Sequence, residues 1–384
     1  MSSRNRLRFL IIGNNGPSLI NFRLPLIRHI VAKGHQVTAI SPLNDLCDST
    51  AKKIKSDLYS LGVDLVSVDL ARTGLNPAGD LLYLNRLINI IRTLHPDRIL
   101  AYAIKPAIYA GFASLLLRHR HFYPMLTGLG HAFTDGAGVR KTALRSIVSL
   151  LLKHSFKGAN TVIFQNPDDE QFMRESGILA AHTKSATVSG SGVDLDHFSR
   201  VPLKATPSTP TFLMVSRILV DKGVREFAEA ASMVKQRWPN AKFQLLGPLD
   251  TANPASPDGA EIEKWTAVEY IGSSQDVRPH LGACDAFVLP SYYREGVPRS
   301  ILEALSVGRA IITTDHPGCR ETVINGENGF LVPVRNSAAL AGAIETLLGD
   351  PKYFFTMGER SRLLAETKFD VRIVNSEMLS IMDM

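Results

Sequence analysis

The sequence predicts an α/β protein made of two doubly wound, mostly parallel sheets, on three observations. Short apolar runs alternate with helix-like stretches, the texture breaks near residue 200, and the same alternation then restarts. A length of 384 residues is long for a single core and suits two such domains. In the first half the expected strands are 8–12, 36–40, 65–68, 98–101, 123–127 and 161–164. The first is followed by a Gly/Asn turn and a helical stretch over 21–33, with Gly34 as its stop. Residues 201–210, rich in Pro, Thr and Ser, read as a linker. Beyond it the expected strands are 211–216, 242–246, 269–271, 286–289, 310–313 and 329–332. The domains are therefore drawn at 1–200 and 201–364, with a helix over about 365–384 expected to pack back on the first. Doubly wound sheets bind ligands at the carboxyl ends of their strands, so the two are expected to face each other across a cleft.

Composition narrows the function. A hydrophobic content of 45% with 21% charged residues is that of a soluble globular chain. No run reaches the roughly 20 apolar residues that a bilayer requires, since 107–117 ends at Arg118, His119, Arg120 and His121. The start imitates a secretory signal, but its apolar run is short and meets Gly13-Asn14-Asn15, as a buried first strand would. Cys47, Cys284 and Cys319 lie far apart without metal-type spacing, which suggests a reducing, cytoplasmic compartment and no disulfide framework. The net charge of +7 is uneven: residues 1–200 hold 24 Lys and Arg against 14 acids (+10), and the rest hold 19 against 22 (−3). A basic half attracts nucleic acid, an anionic membrane or an anionic substrate, or serves solubility. Without a recognised binding motif, nucleic acid is not expected.

Two motifs carry most of the chemistry. In Tyr293-Arg294-Glu295-Gly296-Val297-Pro298-Arg299-Ser300-Ile301-Leu302-Glu303, two glutamates flank a Gly-Val-Pro helix start. Free N–H groups at such a start attract anions. With Glu295 ahead of the helix and Glu303 inside it, their backbones differ by roughly 12 Å along the axis. A glycosidase pair needs carboxyls about 5 to 9.5 Å apart, so the spacing suits two grips on one long ligand; two solvated glutamates are the alternative. The second motif, Ser216-Arg217-Ile218-Leu219-Val220-Asp221-Lys222-Gly223, sets Arg217 and Lys222 at a strand–helix turn, where phosphates bind in this fold class. At the N-terminus Gly13-Asn14-Asn15-Gly16-Pro17 is neither the dinucleotide fingerprint nor a phosphate-binding P-loop. Its small residues admit close approach of a substrate, or simply form a turn.

In this order the residues resemble glycosyltransferase family 4, a retaining family with two Rossmann-like domains facing across a cleft, the GT-B fold. The resemblance runs through Phe22-Arg23-Leu24-Pro25-Leu26, Gly34-His35-Gln36-Val37, Gly190-Ser191-Gly192-Val193-Asp194, Arg217 and Lys222, Tyr270-Ile271-Gly272, Cys284-Asp285-Ala286, Leu289-Pro290-Ser291, the Glu295/Glu303 motif, and Gly318 to Pro333. It implies that Arg217 and Lys222 hold the donor diphosphate, that Glu303 accepts the ribose hydroxyls, and that Glu295 touches the transferred sugar. The Gly296, Val297 and Pro298 backbone would lie against sugar and phosphate, and Gly16 would border the reaction centre. It also implies transfer on one face without a metal or other cofactor, the departing phosphate helping to take the acceptor proton; no DxD-type motif stands beside the donor motifs. Many members carry a histidine just after the fourth N-terminal strand. Here Thr127 or Gly128 takes that place and His131 follows three or four residues later, either reaching the cleft or serving structure.

The stretches Thr127–Phe133 and Tyr102–Ala110 resemble the subgroup that elongates lipid-diphosphate-linked saccharides in bacterial surface glycan assembly. That implies a UDP-linked hexose or N-acetylhexosamine as donor, a lipid-linked saccharide as acceptor, and a peripheral contact with the inner membrane face. Residues 139–157 suit a surface helix with an apolar stripe at Leu144, Ile147, Val148 and Leu151, which ordinary core packing also explains. Two other functions fit the architecture. A nucleotide-sugar 2-epimerase would need acid/base residues near the sugar, and a binding protein without catalysis would lack turnover.

Overall fold

The computed structural model describes residues 6–44, 46–70, 76–130, 133, 139–203, 209–250, 253 and 255–384. The chain divides into two compact units: residues 1–191 with 375–384, and residues 192–374. The expected boundary at 200 follows the Pro/Ser/Thr-rich stretch, whereas the division follows burial. Val193, Leu195 and Phe198 already pack into the core of the second unit. Val201 is tied there too, since its carbonyl accepts from Nη1 of the buried Arg309 at 2.8 Å.

The first unit has seven parallel strands: β1 (Arg8–Ile12), β2 (Gln36–Ile40), β3 (Asp64–Val66), β4 (Arg98–Tyr102), β5 (Phe122–Leu126), β6 (Val162–Phe164) and β7 (Ser185–Thr187). Their spatial order, β3-β2-β1-β4-β5-β6-β7, is that of a doubly wound sheet. Every residue of β5 and four of five in β1 are buried, as in strands covered on both faces by helices. β7 was not expected: Ser-Ala-Thr offers no apolar run, and it pairs with β6 only at the sheet edge. The second unit has six parallel strands: β8 (Thr211–Val215), β9 (Lys242–Leu246), β10 (Glu269–Tyr270), β11 (Ala286–Leu289), β12 (Ala310–Thr314) and β13 (Gly329–Val332), in the order β10-β9-β8-β11-β12-β13.

Helix starts follow the expected chemistry. Asn76, Asn166 and Asn336 each accept a first-turn N–H with their side chains, and proline follows the first two. The helix after β1 begins earlier than residue 21: Gly16–Ser18 leads through a π-helical turn, Leu19–Arg23, into Leu24–Ala32. The last helix, Val371–Ile381, starts in the second unit and finishes in the first. Met378, Leu379 and Met382 join the core beneath β1 and β4, and Arg98 Nε donates to the Met382 carbonyl at 3.1 Å. Only 375–384 pack with the first unit, so residues 365–374 stay with the second.

Candidate active site

In the second unit the proposed donor residues sit where β8, β11 and β12 end. After β8 the chain passes Ser216 and Arg217 into a 3-10 turn, Val220–Lys222, then the helix Val224–Arg237. That turn is fastened to the segment after β11: the Tyr292 N–H donates to the Asp221 carbonyl at 2.9 Å. The fastening brings Lys222 Nζ to Glu295 Oε1 at 2.6 Å, with side chains only 10% and 19% exposed. The same carboxylate oxygen accepts from Ser291 Oγ at 3.2 Å, and Nζ lies 5.3 Å from the Tyr293 ring centroid. A lysine ammonium has three donors, so one can remain on Glu295 while others meet an anion.

The Glu295 loop is also held from β12. Gly318 has φ +86°, and a Cβ there would stand 1.7 Å from the Gly296 carbonyl oxygen. Only glycine permits this approach of two backbones. Thr313 Oγ1 donates to the Leu289 carbonyl at 2.6 Å, and Thr314 Oγ1 donates to that of Ser291. Next to them Cys319 is fully buried, and burial pushes its thiol up to about 12. It is a neutral packing group rather than a nucleophile.

Glu303 lies in the helix Arg299–Val307, whose N-cap is Pro298. Its side chain is 12% exposed and Arg299 Nε meets Oε1 at 2.7 Å. Burial raises its carboxyl above the ordinary range, and Arg299 opposes the rise. Gly296, Val297 and Pro298 are buried and lead straight into the first turn of this helix, where the Ile301 and Leu302 N–H groups donate to the Pro298 carbonyl. Arg217 is exposed and forms no ion pair among the described residues, so its guanidinium is open to an anion. Together these groups offer two cations, a helix start and a carboxylate acceptor on one edge. That arrangement suits a ligand with an anionic middle and hydroxyl-bearing ends.

In the first unit Gly16 opens the helical run after β1, and Asn15 caps it by accepting from Ser18 N at 2.9 Å. A Cβ on Gly16 would stand 2.7 Å from Leu43 Cδ2 and 2.9 Å from Ile54 Cδ1, the ends of two side chains that would have to shift. His131 lies outside the described residues. Sequence reasoning passed over several groups at this edge. Tyr102, at the end of β4, has its hydroxyl 2.9 Å from Ser18 Oγ and Arg23 5.0 Å over its ring. Burial pushes that phenol up to about 12, so it acts as a neutral hydrogen-bonding group. Ala103 follows with φ +72°, a strained value for alanine, and delivers Lys105 to the buried Asp80 at 3.2 Å. The signal for these was present in 102–110 and in Phe22-Arg23, but no residue type there singles itself out.

Comparison with known proteins agrees with this geometry. A family described as glycosyl transferases group 1 matches residues 209–350, and one described as glycosyl transferase 4-like matches residues 15–166. Among curated proteins, the N,N'-diacetylbacillosaminyl-diphospho-undecaprenol alpha-1,3-N-acetylgalactosaminyltransferase of Campylobacter jejuni is 29% identical over 388 residues, covering 98% of each chain. The capsular polysaccharide biosynthesis glycosyltransferase CapM of Staphylococcus aureus is 31% identical over 168 residues, 44% of each. A glycosyltransferase from Rickettsia africae shares the fold with TM-score 0.74 at 19% identity over 98% of both chains. HepE of Anabaena, solved with UDP, shares it with TM-score 0.73 at 19% identity, over 98% of this chain and all of that one. With such a match on each unit, and a shared fold over almost its full length, the chain belongs to the glycosyltransferases of family 4 and has the GT-B fold.

Proposed function

We propose that this enzyme moves a hexose or N-acetylhexosamine from a UDP-sugar, with retention, to a lipid-diphosphate-linked saccharide in surface glycan assembly. The observation that carries the donor half is the Lys222–Glu295 pair, set between the exposed Arg217 and the Glu303 helix. Arg217 and Lys222 neutralise the diphosphate, the role a metal plays elsewhere, so transfer proceeds without added metal or other cofactor. Glu303 accepts the ribose hydroxyls, and Glu295 touches the sugar beside Gly296, Val297 and Pro298. The roles of Gly16 and His131 in transfer rest on the family resemblance alone, and His131 lies outside the described residues. The acceptor half is supported by the Campylobacter relative, whose name gives a diphospho-undecaprenol substrate and which aligns end to end with this chain. No helix among the described residues is long and apolar enough to cross a membrane. The enzyme is therefore proposed to meet its acceptor from the cytoplasm, by peripheral contact of the basic first unit with anionic lipid.

The experiment is a transfer assay with UDP-GalNAc, UDP-GlcNAc, UDP-glucose and GDP-mannose against undecaprenyl-diphosphate-linked saccharide, with and without chelator. Product is expected from a UDP-sugar, chelator is expected to be harmless, and the new bond should carry the donor's α configuration. Turnover only with GDP-mannose, or loss of turnover on chelation, overturns the corresponding part.

A further inference from the structure

At the opposite end of the first sheet from the Gly13–Gly16 loop lies a cavity of about 380 Å³. Asn160 and Lys184 line it, and they lie just ahead of β6 (after Thr161) and of β7, so it opens at the amino ends of those strands. The loop and Tyr102 stand at the carboxyl ends of β1 and β4. The cavity's floor includes the buried Phe156 and Ile178, and its rim carries Lys153, Lys157, His182 and Lys184. No carboxylate lines it, and none of the three lysines is in an ion pair among the described residues. Three uncompensated ammonium groups over an apolar floor form a receptor for an anion with an apolar portion.

The helix leading into the cavity, Val139–Ser155, supplies the rest. The stripe expected at Leu144, Ile147, Val148 and Leu151 is divided by the structure. Val148 is buried and Leu144 and Leu151 pack partly against the core, whereas Ile147 is 42% and Leu150 58% exposed. Ile147, Leu150 and Lys153 recur every three residues, which puts them on one side of the helix. Between Asp135 and Asp168 the chain has no acidic residue. The exposed Arg118 and Arg120, just before β5, extend the positive charge along the same strand ends.

We propose that this edge is a docking site for anionic phospholipid. The headgroup phosphate sits among Lys153, Lys157 and Lys184, with Leu150 and Ile147 entering the acyl boundary. The proposal rests on the membrane association inferred above and gives it an anchoring site, at the strand ends opposite the Gly13–Gly16 loop rather than where an acceptor would enter. Exposed apolar side chains beside the cavity select a lipid over a free anion, because inorganic phosphate makes no use of them. The attraction of these lysines to an anionic surface is screened by salt over roughly 10 Å at 0.1 M.

The test is cosedimentation with phosphatidylglycerol vesicles and with phosphatidylcholine vesicles, at low and high salt. Circular dichroism and thermal melts on every variant serve as a check of folding, since the substitutions all lie in the first unit. The parent is expected to bind only the anionic vesicles, and only at low salt. K153E/K157E/K184E should bind at least tenfold more weakly, the milder K153Q/K157Q/K184Q should fall between, and I147S/L150S should also weaken binding. K52E/K53E/K55E, the same charge change on exposed residues of the helix Asp48–Tyr59, should leave it nearly unchanged. Equal losses in the two reversed triples make the effect one of net charge and overturn the site alone. A parent that ignores anionic vesicles overturns both the site and the membrane contact. Binding of inorganic phosphate by calorimetry without vesicle binding replaces the lipid with a small anion.

Discussion

Lys222 and Glu295, 73 residues apart in sequence, meet through a 2.6 Å charge-assisted hydrogen bond in the second unit. Both are largely shielded from water, so each is the other's main compensation and removing one leaves a buried charge unpaired. Lys222 and Glu295 are therefore a linked pair, and their variants should be read as a pair.

Lys222→Ala is expected to weaken UDP binding by about 1.5 to 3 kcal/mol, the scale of a charge-assisted contact to phosphate. Arg217→Ala should act in the same direction, by less, because Arg217 is exposed and its charge is screened. Isothermal calorimetry measures both. UDP affinity equal to the parent's in both variants would remove the phosphate role.

Glu295→Gln should separate binding from transfer. Losing the carboxylate frees Lys222 for the diphosphate, so UDP should bind about as well as to the parent. Turnover should fall by roughly 10²-fold or more, as when a group contacting the reacting sugar is lost. Steady-state kinetics beside calorimetry decides this, and a parallel loss of UDP affinity contradicts it.

Glu303 yields a pH dependence with a definite sign. Burial raises its folded-state pKa, so the folded protein holds that proton more tightly than the unfolded chain. Its contribution to stability is complete below the ordinary carboxylate pKa and is lost as pH rises through the raised value. Glu303→Gln removes that slope, so the Tm of the variant minus that of the parent should increase from mildly acid to neutral pH. Parent UDP affinity should fall on acidification through the same window, as the carboxylate proposed to accept hydrogen bonds from the ribose hydroxyls is protonated. Thermal melts that run parallel across this range refute the assignment.

Gly318→Ala tests the backbone support of Glu295. A left-handed conformation disfavours alanine by about 1 to 2 kcal/mol, and the Cβ overlaps the Gly296 carbonyl oxygen as well. The expected result is a lower Tm and a fall in turnover larger than any fall in UDP affinity. Full activity in this variant would show that the Glu295 loop needs no such support.

The three thiols should react very differently. Hydrogen bonds with Ser49 and Thr50 hold the exposed Cys47 thiol down at about 7, whereas burial puts Cys284 and Cys319 at about 12. One thiol should alkylate quickly in the native state, with a rate that levels off above about pH 7, and the other two only on unfolding. Mass spectrometry of the labelled peptides identifies which.

The alternation of strands and helices was legible because local signals suffice for it. β1, β5 and β11 are apolar runs that bury both faces, and Gly34, with φ +88°, follows the end of the helix after β1. Arg217, Lys222, Glu295 and Glu303 stood out in the sequence because they lie beside strand–helix turns, and the structure brings Lys222 onto Glu295. β7 escaped because an edge strand of Ser-Ala-Thr takes its structure from its neighbour. The boundary at 191 rather than 200 escaped because burial of Val193 and Phe198 depends on residues more than a hundred positions away. For the same reason no local pattern could show Lys222 resting on Glu295, Gly318 against the Gly296 carbonyl, or Leu150 left exposed while Val148 is buried. Period and residue type settle which segments become strands and helices, because those choices depend on near neighbours. Contacts between distant segments settle which side chains share a site, because they exist only once the sheets have closed.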